Sequence, residues 1–394
     1  MKKVNLIAGF VLVLMTTILS AQAQKLTPLH QFTGEKSPEA FPEGSIIRDA
    51  AGNLYGTTTL DGSVFKITSD GKYSVLKFID GGDDGTFPKG SLALDAAGNL
   101  YGVAEQGSGG AGVLFKLSPK GEETVLFAFQ GGLHNTTPKE PAGGVLLEKN
   151  GDIIGAAQFG NSQNCVIGCG SIFRLDTGGT MHSLHKFTGG ADGGSPIGPL
   201  VQDASGNLYG VTQSGGDHNC PTHFLKRGQG CGVVFKIDTQ NALTVLHTFA
   251  GKRDGAVPQG GLLLDAVGNL FGTTLKGGHA NNGTIFKIAS DGTYTVLRRM
   301  TKSVGVNPNG GLVSDTSGNL YGTTQLGGNQ NLGTAFELSP GGTLKVLHNF
   351  QGLKDGASPL AGLFRDDQGR LYGTTVHNGL IKRVQGGNVF VITP

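Results

Sequence analysis

The segment Asp217-His-Asn-Cys-Pro-Thr-His-Phe-Leu-Lys-Arg227 packs more chemistry into eleven residues than any other stretch of the chain. It offers His218, His223, Lys226 and Arg227. Lys276 and His279 follow it, and His377, Lys382 and Arg383 lie near the carboxyl end. Histidine changes charge near neutral pH and can move a proton. Arginine and lysine can neutralise a carboxylate as charge builds on it. Gathered around one mouth, these nine residues would bind an acidic glycan or an envelope protein. With His218 or His223 as base and Arg227 or Arg383 holding a uronate, they could run a β-elimination. Left unconverged, they are solvated loop residues and do neither. The sequence holds no Gly-x-Ser-x-Gly nucleophile signature. Its glycine-rich loops lack the lysine and following helix of a phosphate cradle. Non-catalytic binding is therefore the favoured expectation, and a lyase-like polysaccharide enzyme is the alternative.

Other polar residues recur in register. Asp84, Asp192, Asp254 and Asp355 each open an Asp-Gly-x-x-Pro loop, and that repetition reads as turn formation. A ring of these carboxylates around Ca²⁺ is the lesser reading, and no other cofactor or metal is expected. His185, His247 and His348 recur as outer-strand packing residues. The four cysteines fall in two short stretches, Cys165/Cys169 and Cys220/Cys231. Four cysteines allow three pairings, of which the local one is simplest; zinc binding is the rival, although neither spacing is the close pair of zinc modules.

The elements that must position these residues come from a repeat. A phrase of the form Leu-Tyr-Gly-Thr-Thr occurs seven times, beginning at Leu54, Leu100, Ile153, Leu208, Leu270, Leu320 and Leu371. The steps are 46, 53, 55, 62, 50 and 51 residues, a period that marks a propeller, solenoid or array. One short apolar run precedes each phrase. A second, of the type Val64-Phe-Lys-Ile67, follows it, and a third ends near Phe78, Phe129, Phe187, Phe249, Met300 or Phe350. This gives four strands per unit, a to d, bounded by Gly, Asp, Asn and Pro. Turns such as Asp265-Ala-Val-Gly-Asn269 join a to b, with Asp bonding the backbone ahead and Gly supplying a positive φ. The mid-strand glycine, as at Gly56, is expected to admit a neighbouring blade.

The last unit lacks its fourth strand, and a matching strand stands alone at the other end: Leu26-Thr-Pro-Leu-His-Gln-Phe32 resembles Leu344-Lys-Val-Leu-His-Asn-Phe350. The expected fold is all-β: a seven-bladed β-propeller of four-stranded antiparallel blades, spanning 24–394, with the amino-terminal strand completing the last blade and removing open edges. Antiparallel connection puts the a–b and c–d turns on one face and the b–c and d–a loops on the other. Most length variation falls in the b–c loops, longest at 160–170 and 214–232, where the cysteines lie; variable loops on a rigid scaffold are where binding resides.

Residues 1–23 read as a signal peptide: Lys2 and Lys3, an apolar run from Leu6 to Leu19, and a small-x-small site at Ala21-Gln22-Ala23. The run is short for a membrane anchor, the competing reading, because spanning takes about 20 residues. No later segment is apolar enough to span a membrane, so the mature chain is expected in the periplasm or outside the cell, as a monomer. The net charge of +2 gives no field for nucleic acid. Glycine (69 residues) and proline (15) are abundant, but the glycines follow the repeat and serve turns rather than disorder.

The repeated Leu-Tyr-Gly-Thr-Thr, Gly-x-Val-Phe-Lys-Ile, Val-Leu-His-x-Phe and Asp-Gly-x-x-Pro elements resemble the GloVer-type repeat of exported bacterial "choice-of-anchor" proteins, over essentially the whole mature chain. The resemblance implies export and a propeller-like fold, and carries no established reaction or catalytic residues. The third unit departs from it with Ile154 for Tyr. The sixth departs with Met300 for Phe and no Asp-Gly before Pro308. The Asn-Gly turn style also resembles streptogramin-lyase-like propellers, at the level of fold.

Overall fold

Seven fully buried phenylalanines, one in each strand c, set the frame of the molecule: Phe65, Phe115, Phe173, Phe235, Phe286, Phe336 and Phe390. The computed structural model describes residues 24–32, 41–60, 62–79, 81–107, 110–130, 137–161, 165, 168–216, 220, 230–379 and 386–393. The arrangement is all-β and propeller-like. Among the described residues there are five four-stranded sheets and one of eight strands, in which two four-strand runs meet at a single parallel bridge between Gly144 and Ser91. Within each unit but the closing one the order is the chain order, and the pairing is antiparallel, as in Gly194–Gln202, Leu208–Ser214, Val233–Ile237 and Leu243–Thr248. Apart from strands, the described residues contain two single-turn 3-10 helices, Gly82–Asp84 and His279–Asn281. No helix among them is long and apolar enough to cross a membrane.

The two chain ends meet. Strand Lys25–Gln31 pairs antiparallel with Gly386–Thr393, with Leu26 opposite Ile392 and Thr27 opposite Val391. Phe32, just past this strand, donates its N–H to Gly387 O and stands edge-on to Phe65 of the first unit at 5.5 Å. The same edge contact links strand d of one unit to strand c of the next at Phe129–Phe173, Phe187–Phe235, Phe249–Phe286 and Phe350–Phe390, each at 5.2–5.3 Å. Edge-to-face pairs add about 0.5–1.5 kcal/mol beyond area burial. Met300, which follows strand d of the fifth unit rather than standing in the sixth, fills the socket beside Phe336 and is completely buried, as its flexible thioether permits. In the first unit Ile79 fills it, not Phe78, which is 38% exposed. The strand there, Tyr73–Phe78, ends one residue before the buried position.

The mid-strand glycine has a different use from the one expected. Gly56 pairs with Phe65 across strands b and c of one sheet. A Cβ there would lie 2.5 Å from the Phe65 ring, and the same holds for Gly272 and Phe286. The missing side chain makes room for the aromatic of its own sheet, not for a neighbouring blade. Close approach between units occurs at the axis, through the glycines of strand a. A Cβ on Gly44 would lie 2.4 Å from Gly90 O, one on Gly143 2.4 Å from Gly198, and one on Gly310 2.4 Å from Ala361. Gly90 abuts Gly143, Gly198 and Gly310 both abut Gly260, and Gly362 meets Ser45 of the first unit, so the contacts return to their start.

The phrase threonines complete the join. The first donates to the next unit's axial carbonyl: Thr273 to Gly310 O, Thr323 to Ala361 O, and Thr374 to Gly44 O. The second accepts the N–H that opens strand c, as Thr274 does from Thr284 and Thr324 from Thr334. On the turn face, Asp203 accepts the Asn207 N–H, the Asn207 amide and the Tyr209 hydroxyl at 2.7–2.9 Å. Asp49, Asp95 and Asp315 repeat this clamp.

Candidate functional site: the axial mouth

Each unit enters strand a by the same bend. The residue before proline has a positive φ in all seven units: Phe41, Phe87, Glu140, Ser195, Val257, Asn307 and Ser358, between 50° and 70°. Non-glycine residues avoid this region, and a following proline narrows the choice further. The bend turns the residue after proline towards the axis. The sequence reading missed it, although the x-Pro-x-Gly spacing recurs in every unit except the seventh, where Ala361 stands in the glycine's place.

The axial glycines leave a cavity of about 250 Å³, whose wall includes the post-proline residues and the ends of strands b. Strand a begins and strand b ends on the b–c and d–a side, so the cavity belongs to that face. Its polar side chains are Glu43, Ser45, Lys89, Ser91, Glu105, Gln158, Gln259 and Asn309. Lys89 is spent on Glu105, with Nζ at 2.9 and 3.1 Å from the two carboxylate oxygens. Gln158 donates its amide to Gln213 Oε1 at 3.2 Å. Asn309 Oδ1 is buried with no hydrogen-bond partner. Nearby Glu140 has its carboxyl pushed up, first by burial and then by the Glu105 charge.

Two disulfides anchor the long loops of this face: Cys165–Cys169 and Cys220–Cys231. The local pairing is the one formed, so no thiol is left for zinc. Cys169 O accepts the Ser195 N–H and Cys231 O the Val257 N–H, at 2.8 and 2.9 Å. One half of each bridge thus sits where a b–c loop hydrogen-bonds the bend that enters the next strand a, a bond that Ala111, Asn282 and Leu332 make without a disulfide. Cys220 and Cys231 also join a buried cluster with Phe249 and Val257.

Of the nine basic candidates, His218, His223, Lys226, Arg227, Lys382 and Arg383 lie outside the described residues. Lys276 reaches Asn307 Oδ1 at 3.4 Å, and its backbone ladders with Ala256. His279 is exposed in its short turn. His377 accepts the Gly379 N–H at Nδ1, and burial pushes its pKa down. Among the described residues no hydrogen bond or ion pair joins these three.

The histidines of strand d and the loop aspartates, read separately from the sequence, form pairs. Nε2 to Oδ2 is 3.1 Å for His185–Asp192, 3.2 Å for His247–Asp254 and 2.8 Å for His348–Asp355. Lys77–Asp84 does the same at 2.9 Å. The signal was their constant spacing of seven residues. Three of these aspartates also accept a backbone N–H in the d–a loop, from Thr188, Ala250 and Gln351. Each pair clips a d–a loop to its strand, a use that competes with the calcium reading. No group of three potential metal ligands occurs among the described residues.

The chain belongs to the Gloeobacter/Verrucomicrobia repeat family, whose model matches residues 16–166, 60–225 and 222–394. No curated protein matches it in sequence. In fold it is similar to virginiamycin B lyase from Staphylococcus aureus (13% identity, TM-score 0.63, covering 94% of this chain and 99% of that one). It is similar also to a streptogramin B lyase (14%, 0.62, 94% and 97%). A third likeness is to the extracellular domain of a protein described as a hybrid two-component system from B. thetaiotaomicron (12%, 0.56), covering 93% of this chain and 41% of that one. At these identities the likeness is one of fold.

Proposed function

We propose that this is an exported, seven-bladed propeller that binds an envelope glycan on its b–c and d–a face without transforming it. The count of seven takes the eight-stranded sheet as two blades. It is supported by the lone parallel bridge between its halves and by the phenylalanine contact that recurs from unit to unit. The observation that carries the binding reading is the axial cavity, polar-walled and on the same face as the disulfide-anchored loops. Rigid loops lower the ordering cost of binding. The described wall brings glutamates, amides and one paired lysine together, groups that hold a sugar through hydrogen bonds. A glycan array paired with an absorbance screen for unsaturated uronates tests this. Retention of a glycan class with no new absorbance is the expected result; a rise in absorbance on an acidic polysaccharide would establish the lyase instead.

A further inference from the structure

We propose that the axial cavity is a subsite for a single ammonium-bearing sugar ring, such as an unacetylated glucosamine residue. This rests on the binding reading above and names the ligand chemistry at its centre. The wall sets two carboxylates, Glu43 and Glu105, against one ammonium, Lys89, beside neutral hydroxyls and amides that can both donate and accept. Lys89 spends its ammonium on both oxygens of Glu105. Gln158 spends its amide on Gln213. Glu43 is a wall carboxylate with no ion pair among the described residues, and Asn309 Oδ1 is a buried acceptor without a partner. Glu43 and Glu105 against Lys89 leave one negative charge on the wall. A ligand that brings donors and a positive charge fits such a wall, because a carboxylate can only accept and charge-assisted bonds are the strong ones. A carboxylate ligand would meet like charge. The volume of about 250 Å³ lies below the roughly 300–1,000 Å³ of sites for drug-sized molecules, so one ring enters while the rest of a chain would lie across the face.

Calorimetry on the purified protein with a glucosamine tetramer, its fully N-acetylated counterpart and an oligogalacturonate tests the assignment. The amine form should bind about tenfold more tightly than the acetamide form, the worth of one charge-assisted hydrogen bond. Glu43→Gln should erase that preference. Lys89→Gln, which frees Glu105, should enlarge it, a change of opposite sign that a merely destabilised fold would not give. Asn309→Asp should also enlarge it. Equal binding of amine and acetamide, or a preference that survives E43Q, overturns the proposal. If the array shows binding to another glycan class that E43Q leaves intact, the ammonium subsite fails and the binding reading stands. If no glycan is retained at all, both fail.

Discussion

The two faces of the disc use their polar residues differently. On the a–b turn face an aspartate carboxylate closes six of the seven turns, as Asp203 does on Asn207 and Tyr209; in the third unit Asn150 Oδ1 accepts the Asp152 N–H instead. Variation among these clamps is a matter of single partners: Phe271 replaces Tyr and leaves Asp265 with Asn269 and the Val267 N–H, and Arg370 replaces Asn at Asp366. On the opposite face the clips change chemistry from His–Asp to Lys–Asp, loop lengths differ, and two loops carry disulfides. Uniform clamps hold the blades in a fixed geometry; the variable face then differs from unit to unit without loosening the disc.

The largest effect is expected at the closure that both faces share. Phe32→Ala should cost about 3–5 kcal/mol, as for a buried aromatic deleted from a core, read as a drop in denaturant midpoint. Asp203→Ala on the turn face leaves the Asn207 and Tyr209 donors without their acceptor and should cost about 2 kcal/mol. His247→Ala on the loop face should cost about 1–1.5 kcal/mol, from the partly buried pair with Asp254 and the stack on Tyr294. A larger loss at His247 than at Asp203 would reverse the assignment of roles.

Titration sharpens the same contrast. Burial opposes ionisation of Asp49, Asp95, Asp203, Asp315 and Asp366, but bonds from Asn53, Asn99, Asn207, Asn319 and Arg370 outweigh it and hold these carboxyls below the usual range. Their contribution is present above the unfolded value, about 3.9, and is lost as pH falls through the folded values. Stability should decline below about pH 4, and Asp315→Asn should flatten that limb. Tyr55, Tyr209 and Tyr321 are pushed up to about 12, by burial first and by their aspartates second. That contribution is complete below about pH 10 and is lost as pH rises through 12; Tyr321→Phe should blunt the alkaline loss slightly.

Much of the fold was legible because the phrase recurs with its turns, and because an orphan strand at one end matched a gap at the other. What was not legible depends on which atoms face each other. Gly56 serves the phenylalanine opposite it in its own sheet, and sequence periodicity does not say which neighbour a glycine makes room for. Phe78 looked like the buried aromatic of its strand, but one step of register gives that socket to Ile79. His247 and Asp254 each had a local explanation, so their pairing went unread. The loop face was recognised from length and cysteines. Its axial mouth was not, because Gly44, Gly143 and Gly310 look like turn residues until the ring brings them together.

Hydrogen exchange measured with and without the retained glycan tests the division of labour between the faces directly. Slowing confined to peptides covering 41–45, 87–91, 257–261 and 307–311 is the predicted result. Slowing centred on the turns at 49–53, 203–207 and 315–319 would place the ligand on the other face and contradict the account.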